Sequence, residues 1–355
     1  MSKTDLRWKP SMVPAGDALD MTVRKRILSI DGGGIRGIIP ATVLMKLEEV
    51  TKKPARETFS LVAGTSTGAV IAAAVAAGIP AVTIRDLYLS RTRDIFVKGP
   101  WSLLKWVARG HRYEAKTLHA VLADEFSRAP VPAQDWSLND SPIDLLITAK
   151  RVPDGEHWYF VRDDNQFPNR STGKLKLIDC VTGSAAAPTF FEPYTIAERV
   201  RTPNGNEAVG TLVDGGVGVT GNPVYQACVE AFFFTNRYSV GDTLTVSLGT
   251  GRYVQKQLPM WLLPWFRWSL AQLLDSPGEQ QTELVNRHFP AMPFYRIDLE
   301  LLENIGLDDT GSIDLLTKYG DTLASRIDWN AILDGTDKQF RIDSQRTRFE
   351  QYKAN

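Results

Sequence analysis

Apolar and polar positions in this chain fall into short runs with two different periods. Residues 26–31 (RILSID) form a brief apolar run that reads as a strand. A glycine-rich loop comes next, Gly32-Gly33-Gly34-Ile35-Arg36-Gly37, and then a helical pattern over residues 37–51. Val43, Leu44, Leu47 and Val50 recur at i, i+1, i+4 and i+7 on one face, and Pro40 sits in the first turn, where its missing N–H costs little. Residues 59–63 (FSLVA) read as a second buried strand. Residues 69–77 (AVIAAAVAA) read as a buried helix ending at Gly78 and Pro80. Residues 209–213 and 157–161 (HWYFV) are further strands, and 243–251 (TLTVSLGTG) is the last recognisable strand end. Beyond it the chain turns helix-like and polar. This divides the chain into an N-terminal extension (1–25), a main region (26–251) and a helical C-terminal flank (252–355), packed on the main region or regulatory.

The strand–helix–strand step from 26 to 63 is one βαβ unit, so its two strands should lie parallel and adjacent. The second strand leads directly into Gly64-Thr65-Ser66-Thr67-Gly68. A serine between glycines on a strand-to-helix turn is held strained and exposed, a nucleophile elbow. The glycines belong there because a side chain would meet the sharply turning backbone. Alone the pentapeptide is unspecific; the strand before it and the helix after it give it context.

The upstream loop lies between a strand and a helix N-terminus, where free backbone N–H groups favour negative charge. Gly32, Gly34 and Gly37 satisfy G-x-G-x-x-G, the spacing of a dinucleotide pyrophosphate loop. That reading requires an acidic residue closing the next strand, roughly 20 residues on. Here the next strand ends in Gly64 and the elbow, while Glu57 precedes it. The competing reading is an oxyanion hole, with donors aimed at the negative oxygen of a tetrahedral acyl intermediate. Topology favours it, because parallel neighbours bring both motifs to one rim of the sheet.

Serine attack needs a base within hydrogen-bond reach. Asp214-Gly215-Gly216 ends the strand 209–213 and can project over the same rim. Of the histidines, His111 and His119 fall in a basic helix-like stretch and His157 begins an edge-like strand. His288 is the competitor, since Ser66, Asp214 and His288 occur in the chain order of an α/β-hydrolase triad. A Ser66–Asp214 dyad and a Ser66–Asp214–His288 triad both stand at this point, the dyad ahead.

Together the Asp31–Gly37 loop, the Gly64–Gly68 elbow and the Asp214–Gly216 turn resemble the patatin-like phospholipases in identity, order and separation. Ser184-Ala185-Ala186-Ala187-Pro188-Thr189-Phe190-Phe191 and Asn222-Pro223 fit the same resemblance, which spans roughly residues 26–251. It implies a three-layer α/β sandwich with a mostly parallel central sheet. It also implies a Ser66 nucleophile, an Asp214 base, an oxyanion hole from Gly32, Gly33, Gly34 and Gly37, and no metal or other cofactor. The implied reaction is hydrolysis of fatty-acyl esters, usually of glycerophospholipids. Arg36 reads either as a contact for lipid phosphate or as a surface charge. Some bacterial members are antiphage effectors switched on by cyclic dinucleotides, and this chain is similar in length and layout. An enzyme that cuts phospholipids inside a cell endangers its own membrane, so an activator of that kind is the expectation here.

Composition narrows the picture further. A chain of 355 residues with 43% hydrophobic content can bury one large core. Zero net charge gives no bulk attraction to nucleic acid. The polar start (MSKTDLRWKP) has no signal core, and no apolar run approaches a membrane span, so the expected location is cytoplasmic, with peripheral inner-membrane contact when active. Cys180 and Cys228 read as buried thiols. Residues 91–116 carry seven Lys/Arg against Asp94 and Glu114, interleaved with Phe96, Trp101, Trp106 and Tyr113. A second aromatic cluster spans 260–268. Both suit a membrane interface or the mouth of an acyl pocket, and equally a core or homodimer contact.

Overall fold

A computed structural model of the chain describes residues 25–96, 110–163, 171–235, 237–253, 265 and 277–342. Strand β1 (Lys25–Ile30) leads through a 3-10 turn (Gly34–Gly37) into helix α1 (Ile38–Thr51) and the short α2 (Ala55–Thr58). Strand β2 (Leu61–Thr65) then enters α3 (Thr67–Ala77), with α4 (Ala81–Ile95) after it. The remaining strands are β3 (Asp144–Arg151), β4 (His157–Val161), β5 (Tyr194–Thr202), β6 (Gly205–Asp214), β7 (Thr243–Leu248), β8 (Arg252–Tyr253), β9 (Phe294–Ile297) and β10 (Glu300–Leu301).

The main sheet runs in the order β5-β6-β3-β2-β1-β7-β9, with β4 paired to β3. As the crossover argument requires, β1 and β2 are parallel neighbours, with Ile27 opposite Leu61 and Ile30 opposite Gly64. The pairs β2–β3, β1–β7 and β7–β9 are also parallel, while β6 and β4 join β3 antiparallel.

Period-2 alternation explains the layers. Leu28, Ile30, Val62, Leu145, Ile147, Leu244 and Val246 belong to the large cluster packed by α1, α3 and α4. Their neighbours Ile27, Leu61, Ala63 and Leu146 face the opposite side, against Ala227 and Ala231. Helix α3 is buried all round, which is why its sequence is apolar without a stripe. Its C-cap is Gly78, in the left-handed conformation at φ 75°, as the Gly–Pro pair foretells.

The segment after Gly251 departs from the helical flank the sequence suggested. It carries the helices Pro277–His288 and Ile313–Ala324, but it also contributes β9, the sheet's outermost strand beside β7. Four residues with an arginine in their midst (Phe294-Tyr295-Arg296-Ile297) carry too little apolar pattern to read as a buried strand. The helix Ile313–Ala324 lies on α1, close enough that a Cβ at Gly320 would stand 3.0 Å from Thr42. Leu316, Leu323 and Trp329 extend the main core beneath it. Among the described residues no helix is long and apolar enough to cross a membrane.

Trp329 is 1% exposed in this core. Trp329→Ala should therefore cost about 3–5 kcal/mol in equilibrium denaturation. A loss below about 1 kcal/mol would show that the C-terminal helices do not share the core.

Candidate active site

Ser66 sits between β2 and α3 with φ 56° and ψ −123°, a conformation that costs a non-glycine residue about 1–3 kcal/mol. Close packing on both sides enforces it. A Cβ on Gly64 would come within 2.1 Å of the Gly68 carbonyl oxygen, and one on Gly68 within 2.2 Å of the Ile30 carbonyl oxygen. Both positions must be glycine, so the elbow is locked against β1. The Ser66 N–H donates to Ser184 Oγ at 2.9 Å, and the Ser66 carbonyl accepts from Ala69 N at 2.9 Å.

Asp214 reaches the elbow through sheet register. Thr65 pairs with Thr148, and Asp214 pairs with Ala149, the next residue along β3. Strand β6 therefore takes up β3 where β2 leaves it, and its last residue arrives beside Ser66. A Cβ on Gly215 would come within 2.5 Å of the Thr148 carbonyl oxygen, so the turn after Asp214 also has to be glycine. The Asp214 Oδ1 accepts from Gly216 N at 2.7 Å, and the carboxyl faces the Ser66 side chain, which favours its charged form. Burial pushes this carboxyl up from 3.8 to about 6, against the opposing effect of the Ser66 side chain and the Gly216 amide.

The segment carrying Ser184 ties the two strands together. Besides its hydroxyl on Ser66, its carbonyl accepts from Gly215 N at 3.3 Å, and the Ala186 carbonyl accepts from Asp214 N at 3.0 Å. Ser184 stands out in the sequence only as part of an Ala-rich segment; nothing there discloses that its side chain holds the elbow amide.

A cleft of about 870 Å³, counting open solvent at its mouth, runs from this pair. Ser66, Asp214, Gly32, Gly33, Gly34 and Gly216 line its polar end. Val70, Leu87, Ile95, Phe96, Leu122 and Phe190 line the rest, an apolar wall suited to a hydrocarbon chain. Phe96, Tyr113 and Phe191 pack ring to ring at 5.2–5.8 Å. The aromatics at the two described ends of the basic stretch 91–116 therefore build the cleft and its surround. Trp101 and Trp106 lie outside the described residues. So does the 260–268 cluster except Trp265, whose side chain is exposed.

The glycine loop is more differentiated than its sequence. Gly32 N donates to the Gly221 carbonyl at 2.9 Å and Ile35 N to the Leu307 carbonyl at 3.0 Å. The amides of Gly33 and Gly34 have no partner among the described residues, and both residues line the cleft. Gly37 does not line it. Its Cα faces Thr67 and Tyr88, with room for nothing larger (a Cβ would be 2.5 Å from either hydroxyl). Arg36 is neither a surface charge nor part of the cleft wall: it is 3% exposed, with Nε donating to the Gly33 carbonyl at 3.3 Å. Its side chain turns back onto its own loop instead of standing in the cleft wall.

His288 stands apart. Its Nδ1 bonds Tyr225 Oη at 2.7 Å at the exposed end of its helix, and among the described residues no histidine lines the cleft. The Ser66–Asp214–His288 triad is not assembled. His119 bonds Asp179 at 3.0 Å and stacks on Tyr194, a structural setting.

A family model described as patatin-like phospholipase matches residues 28–227, which is more than half of the chain and takes in all three glycine motifs. The chain belongs to the patatin-like phospholipase family. Family membership makes it an enzyme of the carboxylic ester hydrolase class. It is 28% identical over 348 residues to patatin-like protein 2 of Arabidopsis thaliana, covering 84% of this chain and 83% of the relative. It is 27% identical over 223 residues to a cGAMP-activated phospholipase of Escherichia coli (strain TW11681), covering 59% and 56%. Among solved structures, VipD from Legionella pneumophila is similar at 13% identity with a TM-score of 0.42, over 90% of this chain and 68% of that one.

A buried carboxyl raised in this way penalises the folded state once it ionises. The sign is that of an acid with a higher folded than unfolded pKa: the penalty is absent below about pH 4 and complete above about pH 6. A rise from 3.8 to about 6 corresponds to about 3 kcal/mol. Asp214→Asn should thus be more stable than wild type at pH 7, by up to that amount, with the gap closing as pH falls to 4. Denaturant melts at the two pH values decide it; equal stability at pH 7 would mean that Asp214 is not held in a desolvated site.

Proposed function

We propose that this phospholipase cleaves fatty-acyl esters of membrane glycerophospholipids by a two-residue mechanism, with Ser66 as nucleophile and Asp214 as base. The observation that carries the reading is the meeting of Ser66 and the Asp214 carboxyl at the polar end of an apolar cleft. A carboxylate near its ordinary pKa of about 3.9 is a weak base toward an alcohol; burial makes Asp214 a stronger one.

In the first half-reaction Ser66 Oγ attacks the ester carbonyl carbon as its proton passes to Asp214. The carbonyl oxygen becomes an oxyanion, stabilised by the N–H groups of Gly33 and Gly34. These two are the donors because Gly32 N is already engaged by Gly221 and Gly37 faces away from the cleft. The intermediate collapses, the ester C–O bond breaks, and the departing lysolipid oxygen takes the proton from Asp214. Water then adds to the acyl-Ser66 carbonyl, giving its proton to Asp214, and the fatty acid leaves as the proton returns to Ser66. The apolar wall holds the acyl chain and keeps the carboxyl desolvated.

Ser66→Ala and Asp214→Ala should each abolish fatty-acid release in lipid mass spectrometry of purified protein with phospholipid vesicles. His288→Ala should match wild type. Full activity of Ser66→Ala, or inactivity of His288→Ala in a folded protein, would contradict the dyad.

We further propose that a cyclic dinucleotide switches on this activity in antiphage defence and that the active enzyme works at the inner membrane surface. Support comes from two bacterial relatives named cGAMP-activated phospholipases, in Escherichia coli and Vibrio cholerae, matched over 59% and 58% of this chain. Supplying a panel of cyclic dinucleotides with a fluorogenic phospholipid should raise turnover at least ~10-fold for one member, an allosteric coupling of ordinary size. Activity indifferent to every member would remove the proposal.

A further inference from the structure

The glycine loop is held in part by residues that lie outside the family-matched segment. Asp31, which opens the loop, is buried at the C-terminal end of β1. Its carboxylate is gripped by Arg296 of β9 in bidentate fashion, Nη1 to Oδ1 at 2.9 Å and Nη2 to Oδ2 at 2.6 Å. The same guanidinium donates to Ser247 Oγ at 2.7 Å and Asp298 Oδ2 at 2.8 Å. Asp298 Oδ1 in turn accepts from Gly251 N at 3.0 Å and Leu299 N at 2.9 Å. Burial opposes the charge of Arg296, but Asp31 and Asp298 outweigh it and keep the guanidinium protonated.

The turn after β7 completes the support. Thr250 Oγ1 donates to the Gly32 carbonyl at 2.8 Å, and a Cβ on Gly33 would strike the same side chain at 2.3 Å. The Leu307 carbonyl accepts from Ile35 N at the far end of the loop. The loop is thereby fixed from behind, while the Gly33 and Gly34 residues line the cleft. Arg296, Asp298, Thr250 and Leu307 all lie beyond residue 227, where the family match ends.

We infer that Arg296 is a positioning residue for the reaction: by clamping Asp31 it fixes the direction in which the Gly33 and Gly34 amides point. The inference rests on the oxyanion reading above. Lysine keeps the charge but loses the planar two-pronged grip, so Arg296→Lys releases the aim of the loop without emptying the site of charge. A misplacement of about 1 Å in such a group lowers turnover by about 100-fold.

The test compares kcat and KM on a fluorogenic phospholipid with the affinity of an acyl trifluoromethyl ketone, which forms a tetrahedral adduct, for wild type, Arg296→Lys and the isosteric Asp31→Asn. The expected result for Arg296→Lys is a kcat loss of about 100-fold, an equal weakening of the ketone, and an unchanged KM. Asp31→Asn should repeat that split, and it carries the test alone if Arg296→Lys does not fold. A folded variant with wild-type kcat, or a rise in KM with kcat and ketone affinity untouched, would overturn the clamp. Ser66→Ala in the same assay separates the two levels. Activity there would remove the acyl-enzyme reading itself, whereas a silent Ser66→Ala beside a fully active Arg296→Lys removes only the clamp.

Discussion

The placing of the Ser66 side chain against the Asp214 carboxyl in a desolvated site is the constraint on which the rest of this structure turns. Each partner is held in an unfavourable state, the serine by its positive φ and the aspartate by burial that raises its carboxyl to about 6. Neither state persists without surroundings that over-determine it. Gly64 and Gly68 supply that on one side by touching backbone, and Ser184 and Ala186 supply it on the other by bonding both strands at once. Stability is thus given up at the point where reactivity is needed, a trade common at functional sites.

The arrangement comes from sheet topology more than from any one side chain. A parallel β1–β2 pair puts the glycine loop and the elbow on one rim, and β6 enters antiparallel beyond the end of β2. Only this change of direction lets a residue far along the chain meet Ser66 with its carboxyl. The helices Ala115–Ser127 and α4 then wall the cleft with apolar side chains beside its polar end. On the proposed mechanism, reaction and chain binding are built by different layers of the sandwich.

Much of this could be read from sequence, and what could not has a physical cause. The elbow, the loop and the Asp-Gly-Gly turn are legible because close backbone approach admits only glycine, and that constraint leaves a mark in the residues themselves. The β1–β2 neighbour relation is legible because crossover handedness allows little else. Less legible are contacts whose meaning depends on a partner far away in the chain. Gly32 and Gly37 look equivalent to Gly33 and Gly34 until Gly221 and Tyr88 are seen against them. Arg36 reads as a charge for solvent or phosphate, yet it folds back on the Gly33 carbonyl. Strand β9 escapes notice because its central arginine interrupts a run already too short to show a period, and only Asp31 explains why that arginine is inside. The basic aromatic stretch leaves a membrane interface, a pocket mouth and a core contact all open, and only its partners far along the chain put Phe96 and Tyr113 at the cleft.

The central claim is that Ser66 is made nucleophilic by a carboxylate that titrates near pH 6. The most direct measurement is the rate at which a fluorophosphonate attaches to the protein as a function of pH, with peptide mapping of the attachment point. The account predicts one adduct, on Ser66, forming at a rate that rises through a midpoint near pH 6 and becomes slow and pH-independent in Asp214→Asn. Attachment at another serine, or an unchanged profile without the Asp214 carboxylate, would contradict it.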